Sequence, residues 1–231
     1  MLEKLKEEVF EANIDLVRES LVIHTWGNAS GRDPETGMIV IKPSGVNYVT
    51  MKPSDMVVLY PDGRVAEGKF KPSTDAQTHL YLYSKWENIG GVVHTHSSYA
   101  TSWAQSGRPI PPLGTTHADH FYGEVPCTRE LKPSEIKKDY ELNTGKVIVA
   151  TIGKIDPLAL PSVLVLNHGP FSWGKNTAEA VYNAVALEEI ARMAFYTMLL
   201  GDSKTISTAL LDKHYGRKHG KDAYYGQTKN D

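Results

Sequence analysis

Cysteine is nearly absent. Cys127 is the only thiol among 231 residues, which excludes an intrachain disulfide and fits a reducing, cytoplasmic setting. It reads as a buried inert thiol rather than a nucleophile, because the histidines near it in sequence define no dyad. Long apolar runs are missing too, so no segment approaches the ~20 residues that span a bilayer. The opening stretch, Met1 to Val9, is charged and amphipathic and lacks the apolar core of a secretory signal. Neither sign of charge dominates: 25 Lys and Arg stand against 27 Asp and Glu. That leaves no electrostatic case for nucleic acid or an anionic membrane as partner. There is no internal repeat, no low-complexity tract and no Pro/Ser-rich linker. One domain over residues 1–231 is expected, and 41% apolar residues suffice for its core.

What is present is a mixture of helical and strand patterns. Leu2, Leu5, Val9, Ala12 and Leu16 recur at helical spacing, predicting an amphipathic helix over 2–19. Strands are expected at 21–24, 38–41, 56–59, 90–96, 146–151 and 163–166. Pro61-Asp62-Gly63 marks a turn. Thr74 with Gln77 resembles a capping box opening a helix to about Trp86, Ser97 is placed to cap a helix to about Gln105, and Asn176 with Glu179 opens a long helix to about Leu200. Helices covering a sheet in an α/β sandwich follow from this mixture; strand order does not.

The chemistry concentrates in a few places. In Gly90–Ser97, side-chain alternation puts His94 and His96 on one side of a strand end. Asn167-His168-Gly169 interrupts a second apolar run, where a turn alone needs no imidazole. Three histidines from two strand ends form an open metal site, with room left for water or substrate oxygens. Lys71 to Asp75 stands before a helix, whose free amides and dipole suit a phosphate. Lys42 to Gly45 and Trp26 to Ser30 offer further small donors. Each loop alone is explained by capping or turn chemistry; together they make a phosphate pocket without a Walker motif. Asp119 lies in a polar stretch, Thr115 to His120, as a candidate general base or a plain turn residue. His117 and His120 rank below the other histidines as ligands, because they lack the strand-end setting. The terminal run from Asp212 to Gln227 is rich in Tyr and His, unlike a disordered tail.

These residues carry a resemblance. Thr25-Trp-Gly-Asn28, Lys42-Pro-Ser-Gly45, Lys71-Pro-Ser-Thr-Asp75, His94-Thr-His96 and His168-Gly-Pro-Phe-Ser-Trp-Gly174 are similar to the class II (zinc) aldolase family. Gly114-Thr-Thr-His-Ala-Asp119, Leu211-Asp-Lys-His-Tyr215 and Ala223-Tyr-Tyr-Gly-Gln227 resemble its ribulose-phosphate 4-epimerase branch. Thr74 departs from that pattern, which has Ser there, and Thr228 to Asp231 extend past its usual end.

The resemblance implies a three-layer α/β/α sandwich around a central, mainly antiparallel sheet. It implies Zn2+, with Mn2+ or Co2+ as substitutes, held by His94, His96 and His168, with Asp75 near or on the metal. Serving the helix N-terminus or transferring a proton are the other roles open to Asp75. It implies substrate contacts from Gly27, Asn28, Ser44, Gly45, Ser73 and Thr74, chiefly to phosphate. Asp119 and Tyr225 are the implied acid/base pair, with the tail from about 211 to 231 completing a neighbouring site in a ring-shaped homotetramer. The implied activity interconverts L-ribulose 5-phosphate and D-xylulose 5-phosphate in pentose catabolism, such as that of L-arabinose. A fuculose-phosphate aldolase type of cleavage is the alternative. A non-catalytic, adducin-like module is the reading from another class, and it needs a metal closed by four protein ligands.

Overall fold

The computed structural model describes residues 2–221, 223 and 224. Seven strands form one sheet in the order β4-β3-β2-β1-β5-β7-β6. They are β1 (Asn28–Arg32), β2 (Ile39–Ile41), β3 (Val57–Leu59), β4 (Val65–Glu67), β5 (Gly91–His94), β6 (Ser162–Val165) and β7 (Gly169–Gly174). Every neighbouring pair is antiparallel. The helices are α1 (Glu3–Arg18), α2 (Ala76–Lys85), α3 (Ser98–Ser106), α4 (Thr115–Ala118), α5 (Pro133–Lys137), α6 (Tyr140–Ile152), α7 (Thr177–Leu199) and α8 (Thr208–His219).

The two-residue period of the strands divides the core. Val40 and Val58 meet Val9 of α1 on one face. Ala29 and Val93 join them there, under Ala12 and Leu16 of α1 and Ala180, Val181 and Ala184 of α7. Ile39, Ile41, Val57, Leu59 and Val92 point the other way, towards Leu80 and Leu82 of α2 and Ile148 and Ile152 of α6. Helices therefore cover both faces of the sheet, as expected. Each valine, leucine or isoleucine so buried contributes about 1.5–3 kcal/mol.

Polar groups are matched where the sheet would leave them bare. Ala29 lies beyond the end of β2, so its backbone faces no strand on that side. Asn13 of α1 takes the place of one: its Nδ2 donates to the Ala29 carbonyl at 3.1 Å and its Oδ1 accepts from the Ala29 amide at 2.9 Å.

Four expectations are corrected. Residues 21–24 do not form a strand. Ser20 and His24 take φ of 58° and 57°, a left-handed turn geometry that breaks a ladder. The strand lies later, at Asn28–Arg32, in small polar residues without β-branched character. Residues 146–151 belong to α6, because Thr144, Val147, Ile148 and Ile152 are its buried face at helical spacing. The Thr74–Gln77 box does not form: Asp75 takes the N-cap position of α2, and its carboxylate is turned to Asn28. Ser97 does stand at the N-cap of α3, but the Glu188 carboxylate accepts from the Tyr99 and Ala100 amides, at 2.8 and 2.9 Å. The Asn176–Glu179 pair caps α7 as expected, with Asn176 Oδ1 accepting from the Glu179 amide at 2.8 Å. Among the described residues, no helix is long and apolar enough to cross a membrane.

Candidate active site

The sheet register brings the candidate residues to one end of its three central strands. Asn28 of β1 is paired with His94 of β5, and His94 with Phe171 of β7. The β6–β7 hairpin turns through Asn167, whose φ of 61° suits the short amide side chain, and this turn delivers His168 to the same end.

The three histidines converge. Their ring centroids are 4.9 Å apart for His94–His96, 4.6 Å for His94–His168 and 5.1 Å for His96–His168. One nitrogen of each lies within 4.8 Å of the others. Neighbours fix the rings. His94 Nδ1 donates to the Pro170 carbonyl at 2.9 Å, and the ring stacks on Phe171 at 4.2 Å. That leaves His94 Nε2 with its lone pair towards the cluster, 3.1 Å from His96 Nε2. Tyr140 Oη lies 3.4 Å from His168 Nδ1. Such partners on the far nitrogen set tautomer and aim.

Burial, and then His94 beside it, pushes His168 down to about 3; His96 is lowered for the same reasons. Both are therefore neutral at pH 7, the protonation state in which imidazole binds a metal. Three imidazoles of fixed orientation, converging at one point, fit a divalent ion of the zinc type. Among the described residues these three are the converging donors. Asp75 lines the same cavity outside that set, and its Oδ2 accepts from Asn28 Nδ2 at 2.7 Å. Burial raises the Asp75 carboxyl, but His94, His79 and the Asn28 amide outweigh it and hold it below its ordinary value.

The donor loops meet beside the histidines. Residues 42–45 and 71–75 pair through Ser44 N to Lys71 O and Ser73 N to Lys42 O, both 2.9 Å. With residues 25–28 and the histidines they line a cavity of about 400 Å3. Ser44, Gly45 and Thr74 are exposed and Ser73 is buried. Gly27 has a φ of 89°, and a Cβ there would lie 2.7 Å from the His94 carbonyl; only glycine allows this approach. Gly45, with φ of 67°, has open space where its side chain would stand. Asn28 is buried, and among the described residues its Oδ1 has no hydrogen-bond partner.

Sequence reasoning gave no site role to Tyr140 or Glu141, which line the cavity together with Lys42 of the first donor loop. Lys42 is buried, its ammonium donating to the Val46 carbonyl at 3.0 Å and lying 4.6 Å from the Tyr48 ring centre. Burial pushes it down to about 8. Tyr140 and Glu141 open α6, in a charged stretch with no motif to mark them.

Asp119 is not on this cavity. It is buried at the end of α4, against His214, Arg217 and Lys218. His117 and His120 stay out of the metal cluster, with His117 Nε2 donating to the Gly123 carbonyl at 2.6 Å. Tyr225 lies outside the described residues. Cys127 is half-buried and burial pushes its thiol up, in keeping with an inert role. A larger cleft, about 730 Å3, opens at the other end of the central strands beside Arg32, Gly90 and Lys175. Among the described residues it holds no converging donor set.

Comparison with known proteins agrees with this geometry. The L-ribulose-5-phosphate 4-epimerase UlaF of Salmonella paratyphi B is 55% identical over 227 residues, 98% of this chain and 100% of the relative. The protein of that name from Salmonella typhi matches to the same extent. Among solved structures, an L-fuculose 1-phosphate aldolase superimposes with a TM-score of 0.79 at 25% identity, covering 93% of this chain and 95% of the other. YgbL of Escherichia coli, at 24% identity and a TM-score of 0.74, covers 92% and 98% and shares the fold. The sequence profile of the class II aldolase and adducin N-terminal domain matches residues 7–195, and the chain belongs to that family.

Proposed function

We propose that this chain is an L-ribulose-5-phosphate 4-epimerase, a cytoplasmic enzyme of one domain working as a homotetramer. The observation that carries the reading is the shared cavity: three converging imidazoles and two paired donor loops face the same space of about 400 Å3. Similarity over the full length of the UlaF relatives supports the substrate.

The residues suit the chemistry. A ketone at carbon 2 acidifies the protons on carbons 1 and 3 but not the one on carbon 4, so direct deprotonation at carbon 4 has no resonance help. Removing the carbon 4 hydroxyl proton breaks the carbon 3–carbon 4 bond instead. The electron pair spreads as an enediolate over carbons 2 and 3, and carbon 4 becomes a planar aldehyde. A zinc-type ion held by His94, His96 and His168, with Asp75 beside it, supplies Lewis acidity towards that charge. Ser44, Gly45, Ser73 and Thr74 hold the phosphate, which keeps the two-carbon fragment from leaving. Gly27 keeps the backbone close to the substrate, and the unpaired Asn28 Oδ1 accepts from a sugar hydroxyl. Rotation exposes the other aldehyde face, and re-addition inverts carbon 4. Asp119 and Tyr225 serve one face each, from the neighbouring subunit, whose tail from about 211 onwards completes the site.

The test is product analysis with L-ribulose 5-phosphate. D-xylulose 5-phosphate is expected without free aldehyde. Accumulation of free glycolaldehyde phosphate as the main product defeats the reading and favours an aldolase.

A further inference from the structure

We infer that Arg217 is a positioning residue for this reaction: its guanidinium clamps the Asp119 carboxylate and by the same contact seats the C-terminal helix. The inference rests on Asp119 being one of the two acid/base groups.

The contact is a fork. Arg217 Nε donates to Asp119 Oδ1 at 3.1 Å and Nη2 donates to Oδ2 at 2.7 Å. A carboxylate held at one oxygen still swings about two torsions; one held at both by a planar guanidinium has a fixed plane. Oδ2 keeps a second lone pair beside the Arg217 bond, so the clamp leaves one oxygen open for proton transfer. His214 Nδ1 adds a donor to Oδ1 at 3.0 Å, and Lys218 Nζ stands 4.0 Å from Oδ2.

The same contacts hold α8. This helix of 12 residues buries none of its side chains, so it does not dock through an apolar face. A helix so short is marginal in isolation. What ties it down is polar. His219 Nε2 donates to the Asp119 carbonyl at 3.0 Å, and Tyr122 Oη donates to Asp212 at 2.6 Å. Tyr215 stacks on His219 at 4.4 Å and leans on Tyr122 at 5.0 Å. The turn 119–122 is therefore the seat of α8, and the carboxylate of Asp119 is its centre. In sequence, Tyr225 follows the end of that helix by six residues.

Electrostatics point the same way. Burial raises the Asp119 carboxyl, yet the Arg217 and His214 hydrogen bonds outweigh it and hold it below its ordinary value. Among the described residues, the titratable groups around it are His214, Arg217, Lys218 and His219 on α8 and His120 on its own turn.

The test uses Arg217→Met and Arg217→Lys in the full-length, metal-loaded enzyme. For Arg217→Met, kcat is expected to fall about 10- to 100-fold with KM and bound metal within about twofold. The acid limb of the kcat–pH profile moves to higher pH, because the freed carboxylate takes up its proton more readily. Arg217→Lys brings the limb partway back but not kcat, since an ammonium cannot form the fork; it also serves as the probe if the Met variant does not assemble. A kcat within about twofold of the parent in both variants, or a fall with an unmoved acid limb, overturns the inference. A 13C titration of the carboxyls, with Asp119→Asn for assignment, separates the two ideas. If the Asp119 signal keeps its titration point in Arg217→Met, the clamp is wrong. If that signal shifts while turnover and its pH profile stay unchanged, the acid/base role of Asp119 is wrong instead.

Discussion

Two clusters of histidine and aspartate stand in this chain, and they are built oppositely. Around His94, His96 and His168, burial keeps His96 and His168 neutral, and ring nitrogens of all three face one another beside an open cavity. Around Asp119, a carboxylate is packed against arginine, lysine and histidine, away from that cavity. The first arrangement is poor in hydrogen bonds between its own members and wants a cation. The second is already neutralised and wants nothing added. A site that must receive a metal is left electrostatically incomplete; a group that must hold or release a proton is fixed by permanent partners. That contrast explains why only one of the two lines a cavity.

The sharpest break of the comparison is at the first cluster. His94→Ala should abolish metal binding and lower turnover by about 10³-fold or more, since the ion supplies several kcal/mol of transition-state stabilisation. Metal analysis beside the assay checks it. A chelated parent should lose activity and regain it with zinc; a metal that only changed melting would place this chain with the structural reading. Asp119→Asn should cost about 10²- to 10⁴-fold in kcat with full metal content. It should also alter stability with a defined sign. The folded carboxyl is held below its ordinary value, so its contribution is complete above about pH 4 and is lost as pH falls through the folded value. The stability gap between parent and Asp119→Asn in urea melts should therefore close on acidification.

The clusters were also unequally legible. His94 and His96 close an apolar β-branched run and His168 breaks another, so strand alternation and a misplaced imidazole mark them before any coordinates. The loops at 42–45 and 71–75 were marked by composition, but not their pairing. The Lys42 and Lys71 carbonyls accept from the Ser73 and Ser44 amides across that pair, and no local pattern encodes a contact between segments about thirty residues apart. The Asp119–Arg217 fork spans 98 positions and has no periodicity to reveal it. Strand β1 was missed because its residues are small and polar: Asn28, Ser30 and Gly31 are chosen for what packs on them. Gly31 lies under α1 and α7, and a Cβ there would meet Thr177 and Leu5 within 3 Å. Residues 146–151 read as strand because Val147, Ile148 and Val149 are β-branched, while the helix follows the spacing of the whole segment.

A smaller effect is expected where the backbone, not a ligand, is altered. Gly27→Ala places a Cβ against the His94 carbonyl in a left-handed conformation. The strain should cost about 1–3 kcal/mol, or roughly 2–10 °C in Tm for a chain of this size. Because the pressed atom belongs to a ligand residue, metal affinity should fall with Tm. A variant that lost stability but kept metal affinity would show the cluster to be stiffer than its backbone.

The mildest test sits at the departure from the family pattern. Thr74 is exposed on the rim of the cavity, and its methyl has no apolar surroundings to lose. Thr74→Ser keeps the hydroxyl and should change stability by less than about 0.5 kcal/mol and KM by less than about twofold. Thr74→Val keeps the shape and removes the donor. If that hydroxyl meets the phosphate, KM should rise about 3- to 10-fold, the worth of one hydrogen bond to a charged group in a wet setting. The pair of variants separates chemistry from volume at one atom. Equal KM values in the two would remove Thr74 from the phosphate grip and leave that work to Ser44, Gly45 and Ser73.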